Sequence, residues 1–421
     1  MKHRIIYIIT IIITHSASLN SIDNPHFYRA TNMFLEPRLE HDFLSTFYAT
    51  LSGGSSSKGR SSNNDIVPLL DIYGTQSLVE LITNTSYSKP NNYYDFLLTE
   101  VAKLPKRTNF GKISIDGSFS ILEANLSFAQ NFSKGLFFFS HLPVRKLKID
   151  SINITDLSPN DHILPNKNNY EWQALLQNIN PLLIHYQLDI SPTTSIGVGD
   201  LTSWMGWTHN YQETTIIDFI DITAMLGFLA PTGKKKIESK LFSLPTGYNG
   251  HWGFPLCVML SVGCYEWVTV GAYLNSLFFI KSNRLMHLKT DTSQSGLIKL
   301  ASGNVSVHKG PLINSGIYCK ADHVGHGVSC TIAYSFASQQ REHLTQNSPI
   351  EFNRTIINSD SMLAGWNMHT FNFALEYDFT QENDTVGNRI GLFYNLQVAG
   401  KRTFNTNCAG GSYGLDISWY L

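Results

Sequence analysis

The chain has 421 residues, with 31 Lys plus Arg against 32 Asp plus Glu and a formal net charge of −1. That balance excludes the strongly basic surface that a nucleic-acid partner requires. Charged residues make up 15% and aromatics 12%; set against ~25% charge in ordinary soluble domains, this composition suits a surface that meets lipid.

Lys2 and Arg4 precede an apolar run from Ile5 to Thr14 and the small residues Ser16-Ala17-Ser18, the pattern of an export signal over 1–18. The run is shorter than the ~20 apolar residues a membrane-spanning helix needs, and no other run in the sequence qualifies. An exported chain of this kind is either a soluble all-β protein or a barrel, whose strands escape hydropathy plots because only every second residue faces lipid. Residues 19–38 read as a periplasmic segment ahead of a barrel over 39–421.

Period-two alternation predicts about twelve strands. The first runs from Leu39 to Leu51 and is followed by Gly53-Gly54-Ser55-Ser56-Ser57, a composition with no reason to order itself. Lys112–Phe132 and Leu136–Ile149 flank Ser133-Lys134-Gly135 as a hairpin. Ile196–Thr208 and Ile216–Ala230 follow, the latter with Ile220, Ile222, Ala224, Leu226 and Phe228 opposed to Asp221, Thr223, Met225 and Gly227. Next come Trp252–Cys264, Trp267–Ile280, Leu312–Ala321 and Val328–Ser338. Trp366–Phe379 sets Phe371, Phe373, Leu375 and Tyr377 against Asn372, Glu376 and Asp378. Arg389–Thr403 and Ser412–Leu421 complete the set.

The last of these places Tyr413, Leu415, Ile417, Trp419 and Leu421 on one face. It resembles the closing strand of outer-membrane β-barrels, which the barrel-insertion machinery reads; that family usually ends in Phe, and here the position holds Leu421. The links sort by length. Those at 133–135, 209–215, 265–266, 322–327 and 380–388 are short. Those at 52–111, 150–195, 231–251, 281–311, 339–365 and 404–411 are nearly all long. Barrels sort their links this way, with short periplasmic turns and long external loops, whereas a sandwich has no reason to. The expected fold is therefore all-β, a transmembrane antiparallel up-and-down barrel of about twelve strands in a bacterial outer membrane.

In the second strand the apolar phase is odd through Ile113, Ile115, Phe119 and Ile121, then even through Leu122, Ala124, Leu126 and Phe128. An inserted residue would shift the phase in this way, and the third strand switches at about the same distance from the turn. The hairpin is expected to bend or project above the bilayer near Pro143, unless the stretch is simply mixed. A tight turn at Val324-Gly325 would set Cys319 opposite Cys330, close enough for a disulfide; two free lipid-facing thiols are the alternative.

Ile196-Gly197-Val198-Gly199-Asp200-Leu201 and Ala230-Pro231-Thr232-Gly233 resemble the Gly-x-Gly-Asp and Pro-Thr-Gly segments of outer-membrane channels associated with aromatic-compound degradation, loosely similar to FadL-type transporters. The resemblance covers 196–280 and implies a barrel with an uptake role. Read from the residues, Gly197 and Gly199 allow close packing within a strand, and Pro231-Thr232-Gly233 is a turn.

Twelve strands fall between the ~8 of a filled interior and the ~16 of an open channel, so the lumen is expected to be narrow or plugged. Leu78–Ile82, Tyr93-Tyr94-Asp95-Phe96 and a short helix around Tyr170–Leu176 would form either a constriction or an external cap. Strand phase predicts Asp200, Asp221, Thr223, Asn372, Glu376, Asp378, Asn395 and Gln397 on the lumen, an acidic balance favouring cations or polar neutral solutes.

The expected function is passive passage of small solutes, with membrane lipids, lipopolysaccharide near Lys234, Lys235 and Lys236, and the insertion machinery as partners. No cofactor, metal or enzyme activity is expected. The alternatives are a closed-lumen surface barrel with an adhesion or structural role, a soluble secreted all-β protein, and a barrel-surface lipase using Ser338 and His369, which share the lipid-face phase.

Overall fold

The structure, a computed structural model, describes residues 42–83, 93–104, 109–163, 165–212, 217–265, 267–325, 327–346, 353–380 and 385–419. The expected leader 1–18, the segment 19–38, residues 39–41, Glu266, Asn383 and Leu421 lie outside them.

Twelve strands form the wall: β1 Leu44–Ser56, β2 Lys112–Asn131, β3 Leu136–Asp156, β4 Leu201–Gln212, β5 Ile217–Ala230, β6 Gly253–Cys264, β7 Val268–Phe279, β8 Leu312–Gly325, β9 Val328–Gln339, β10 Trp366–Asp378, β11 Val386–Lys401 and β12 Asn407–Ser418. Each pairs antiparallel with its chain neighbours, and β1 pairs with both β2 and β12, so the sheet closes on itself. Closure removes the exposed edges an open sheet would leave. No helix among the described residues is long and apolar enough to cross a membrane.

Several strand boundaries differ from expectation, three of them for local reasons. Gly53 to Ser56, read as unstructured, belongs to β1 because ladders on both sides fix its backbone. β12 begins at Asn407 rather than Ser412, and its glycine-rich start carries no alternation to read. The expected strand 196–208 is broken: Thr193–Val198 and Leu201–Gln212 both pair with β3, and Gly199-Asp200 falls between them. Opposite the break lies Pro143, which has no N–H to donate; its carbonyl accepts from Gly199 N–H at 2.6 Å. Between His141↔Thr202 and Val144↔Val198, β3 supplies two residues and the other strand three, a bulge.

The outward side chains form an apolar belt. Phe47, Leu126, Met205, Leu226, Val258, Ile317, Ile332, Leu375 and Leu392 are all exposed, and together they encircle the barrel. Soluble monomers rarely expose a contiguous apolar patch beyond a few hundred Å²; a belt of this kind is the lipid face of an outer-membrane barrel. Near the short turns it ends in an aromatic girdle, where Trp207 stacks on His209 at 5.5 Å and Tyr377 packs edge-on to Phe379 at 4.5 Å. Trp419 is exposed there too, its indole N–H donating to Ser45 Oγ at 2.7 Å.

The phase switch of the second strand has a different cause from an inserted residue. β2 and β3 pair without a break from Ser118↔Asp150 to Asn131↔Phe137, and the register shifts between Asp116 and Ser118, away from the switch. Side chains keep alternating through Ile121 and Leu122. What changes is the environment: Ile113, Ile115, Phe119 and Ile121 face inward onto an apolar core.

That core is made by the long loops. Helices α1 (Leu78–Thr83), α2 (Tyr93–Lys103), α3 (Tyr170–Gln177) and α4 (Ile179–His185) contribute Leu81, Leu98, Trp172 and Leu183. Loops farther round the barrel add Phe242, Ile298 and Phe404. Asn169 caps α3 by accepting Trp172 N–H at 2.9 Å, the usual service of Asn at a helix start. Trp172 Nε1 donates to Asp156 of β3 at 3.0 Å, and Phe119 meets Phe404 with ring centroids 5.0 Å apart. Loops from several sides thus pack as one body, a plug, against the inner face of β2 and β3.

Candidate functional site

The lumen is lined by the odd positions of β2, β3, β5, β6, β7, β9 and β11 and the even positions of the other strands, as burial and register require. Seven of the eight expected lumen residues occupy strand positions of this phase without forming one group, and Asp200 falls in the break ahead of β4. Asp221 accepts from Asn210 Nδ2 at 2.6 Å near the periplasmic end, and Thr223 bonds Thr208 across the strand pair at 2.9 Å. Asn372 stands opposite Asn395 on β11 and donates to Ser335 Oγ at 3.1 Å. Asp378 accepts Thr380 N–H in the turn after β10. Gln397 is held near the external rim by Thr403 at 2.8 Å and by Thr406 N–H at 3.2 Å.

Asp200 serves as a loop clamp. It accepts N–H groups from Gly233, at 2.8 Å, and from Tyr248. Thr232 Oγ1 donates to Gly199 O at 2.7 Å and accepts Leu201 N–H at 3.0 Å. The Gly-Asp and Pro-Thr-Gly segments therefore hold each other. Gly199 is needed for this closeness, since a Cβ there would lie 2.6 Å from Pro143 Cγ and 2.9 Å from Thr246 O. Burial raises the Asp200 carboxyl above the usual range, with the two N–H donors opposing.

Basic side chains offset part of the inward acidic charge. Arg389, missed in the sequence, sits between Glu376 at 3.5 Å and Asp416 at 3.0 Å, and Thr46 donates to Asp416 at 2.6 Å. Glu123 contacts Arg145, which also donates to Thr246 O at 2.8 Å. One arginine for two carboxylates at Arg389, and one for one at Arg145, offset the inward acidic charge in part.

Much of the wall at mid-height is apolar rather than wet. Phe137, Trp204, Met225, Cys257 and Tyr273 form a buried cluster across β3 to β7, with Phe139 and Met259 against it, and Phe393 packs with Ala374 and Tyr48 on the other side. Several rings of the wall face a glycine directly across the neighbouring strand, as Phe137 faces Gly206 and, outside these clusters, Phe219 faces Gly263. The available signal was an aromatic residue in the polar phase opposite a glycine, and reading it needs the register.

Two further expectations are corrected. Cys319 pairs with Ile332 and Cys330 with Ala321, so the two cysteines are diagonal rather than opposite, and both are free thiols. The turn lies beyond the expected Val324-Gly325, because β8 runs on to Gly325 and pairs it with Val328. Ser338 stands opposite Asn367, while His369 Nδ1 is bonded to Tyr334 OH at 2.6 Å, so the Ser/His couple of a lipase is not assembled. Among the described residues, no group of three or more His, Cys, Asp and Glu side chains could hold a metal ion.

No family model matches the chain, and no curated protein does. Several solved structures are similar. An outer-membrane channel from Pseudomonas putida F1 is 9% identical, with a TM-score of 0.47 over 90% of this chain and 96% of that one. The Pseudomonas putida toluene transporter TodX is 11% identical, with a TM-score of 0.31 over 96% of each chain. The translocator domain of the autotransporter NalP from Neisseria meningitidis is 7% identical, with a TM-score of 0.34 over 93% of this chain and 92% of that one. Channels of the kind that the Gly-Asp and Pro-Thr-Gly segments resemble are among these structures, and autotransporter barrels stand beside them.

Proposed function

We propose that the chain is an outer-membrane channel for the passive passage of small uncharged solutes. The observation that carries this reading is the aromatic surface of the inner wall at Phe137, Trp204 and Tyr273, beside carboxylates whose charge is offset in part, as Arg389 does for Glu376 and Asp416. A neutral solute is indifferent to the remaining charge, and the apolar half of the wall suits solutes that carry apolar surface. Membrane lipid would contact the belt, the insertion machinery would read the terminal strand with Tyr413, Leu415, Ile417 and Trp419, and lipopolysaccharide phosphates would meet the exposed Lys234 and Lys235.

The test is swelling of liposomes containing the purified protein, with neutral solutes of graded size and charged ones of matched size. Swelling in the neutral series, faster than for ions of equal size and slowest for anions, is the expected result. The packed loop core at the external end favours one other reading, a closed surface barrel with a structural or adhesive role. Absence of flux for every solute from a heat-modifiable, correctly inserted protein would overturn the channel and leave that reading.

A further inference from the structure

Tyr273 on β7 stands directly opposite Gly316 on β8, and Tyr318 on β8 stands opposite Gly271 on β7. The two pairs are reciprocal, each strand giving one ring and one glycine. On another part of the wall, Phe393 of β11 faces Gly410 of β12. A Cβ built on any of these three glycines would come under 3.0 Å from a carbon of the opposite ring. The rings therefore lie over the glycines, along the wall, in space that any other residue would fill. In a barrel of this size, between a filled interior and an open one, a ring held to the wall leaves the passage clear, and a ring turned inward narrows it.

We propose that Gly271, Gly316 and Gly410 set the calibre of the lumen by keeping Tyr318, Tyr273 and Phe393 against the wall, so that these pairs fix the largest solute that passes. The inference rests on the channel reading above. A side chain at Gly316 displaces the Tyr273 ring toward the axis, and removing that ring relieves the block.

The experiment compares liposome swelling for glycerol, arabinose, glucose and sucrose across the wild type, Gly316→Val, Tyr273→Ala and the double variant, each first checked for heat-modifiable mobility. Gly316→Val should reduce the rate for the largest permeant sugar several-fold while sparing glycerol. The double variant should restore it, and Tyr273→Ala alone should raise the size limit. If Gly316→Val does not fold, Tyr273→Ala still decides: an unchanged size limit overturns the proposal and assigns the limit to the plug. A silent wild type overturns the channel reading and this inference with it, whereas a conducting wild type with unaltered variants overturns this inference alone.

Discussion

The two halves of the β2–β3 hairpin share strands and alternate without interruption on β2, yet they carry their apolar residues on opposite faces. Toward the periplasm Leu122 and Leu126 are 51% and 52% exposed to the outside, while Glu123 is buried within. Above, Ile113, Ile115, Phe119 and Ile121 are all buried against the plug. Apolar phase therefore reports which side of the wall meets hydrocarbon, lipid outside below and packed loops inside above. It does not by itself report register.

Neighbouring positions on β2 break this comparison most sharply. Ile121→Ala leaves a cavity in a packed core and should cost ~2–5 kcal/mol, the range for buried aliphatic truncations. Leu126→Ala should cost less than about 1 kcal/mol, because lipid tails as apolar as leucine close over the missing methyls. Refolding equilibria in lipid, together with proteolysis of the external loops, would measure both. Equal losses at the two sites would remove the distinction between plug and belt.

The reverse contrast comes from charge. Leu126→Lys should cost ~2–4 kcal/mol if the site lies near mid-bilayer, and ~0–1 near an interface. Slower membrane insertion and a lower temperature for the gel-mobility shift would report it. A lysine tolerated there without loss would place the lower half of the hairpin outside the membrane.

These contrasts explain which parts of the fold could be read from sequence. The strands of β5 and β10 were legible because lipid and lumen differ in polarity, so Ile222, Leu226, Phe371 and Leu375 alternate with Asp221, Thr223, Asn372 and Glu376. Gly53 to Ser56 and Asn407 to Gly411 were not legible, since glycine and small polar residues take their order from neighbouring ladders rather than from their own side chains. The candidate site was legible only in its polar half. Asp221, Thr223, Asn372 and Asn395 stood out against apolar neighbours, while Tyr273, Tyr318 and Phe393 could be placed only once Gly316, Gly271 and Gly410 were known to lie across from them. Arg389 marked the expected start of its strand, and its role depends on Glu376 and Asp416, which come from different strands. The cysteine pairing failed because the turn between β8 and β9 falls beyond the position that the short link implied.

At the rim, where plug meets barrel, a more local effect tests the clamp on the loop after β5. Both oxygens of Asp200 accept backbone N–H groups, from Gly233 and Tyr248. Asp200→Asn keeps one acceptor and turns an NH2 toward the other donor, a loss of ~1–3 kcal/mol for a buried donor left unsatisfied. Burial raises the Asp200 carboxyl above its ordinary 3.8 in the folded protein, so between these two values the folded state holds the proton more tightly than the unfolded one. Its contribution is then most favourable below 3.8 and declines as pH rises through the folded pKa. Hydrogen exchange at the amides of Gly233 and Tyr248, corrected for the intrinsic rate, should show protection falling from acid toward neutral pH in the wild type. Asp200→Asn should show weaker protection without that slope, since the amide does not titrate. A variant that keeps the wild-type slope would assign it to another group, and one that keeps full protection would remove Asp200 from the clamp.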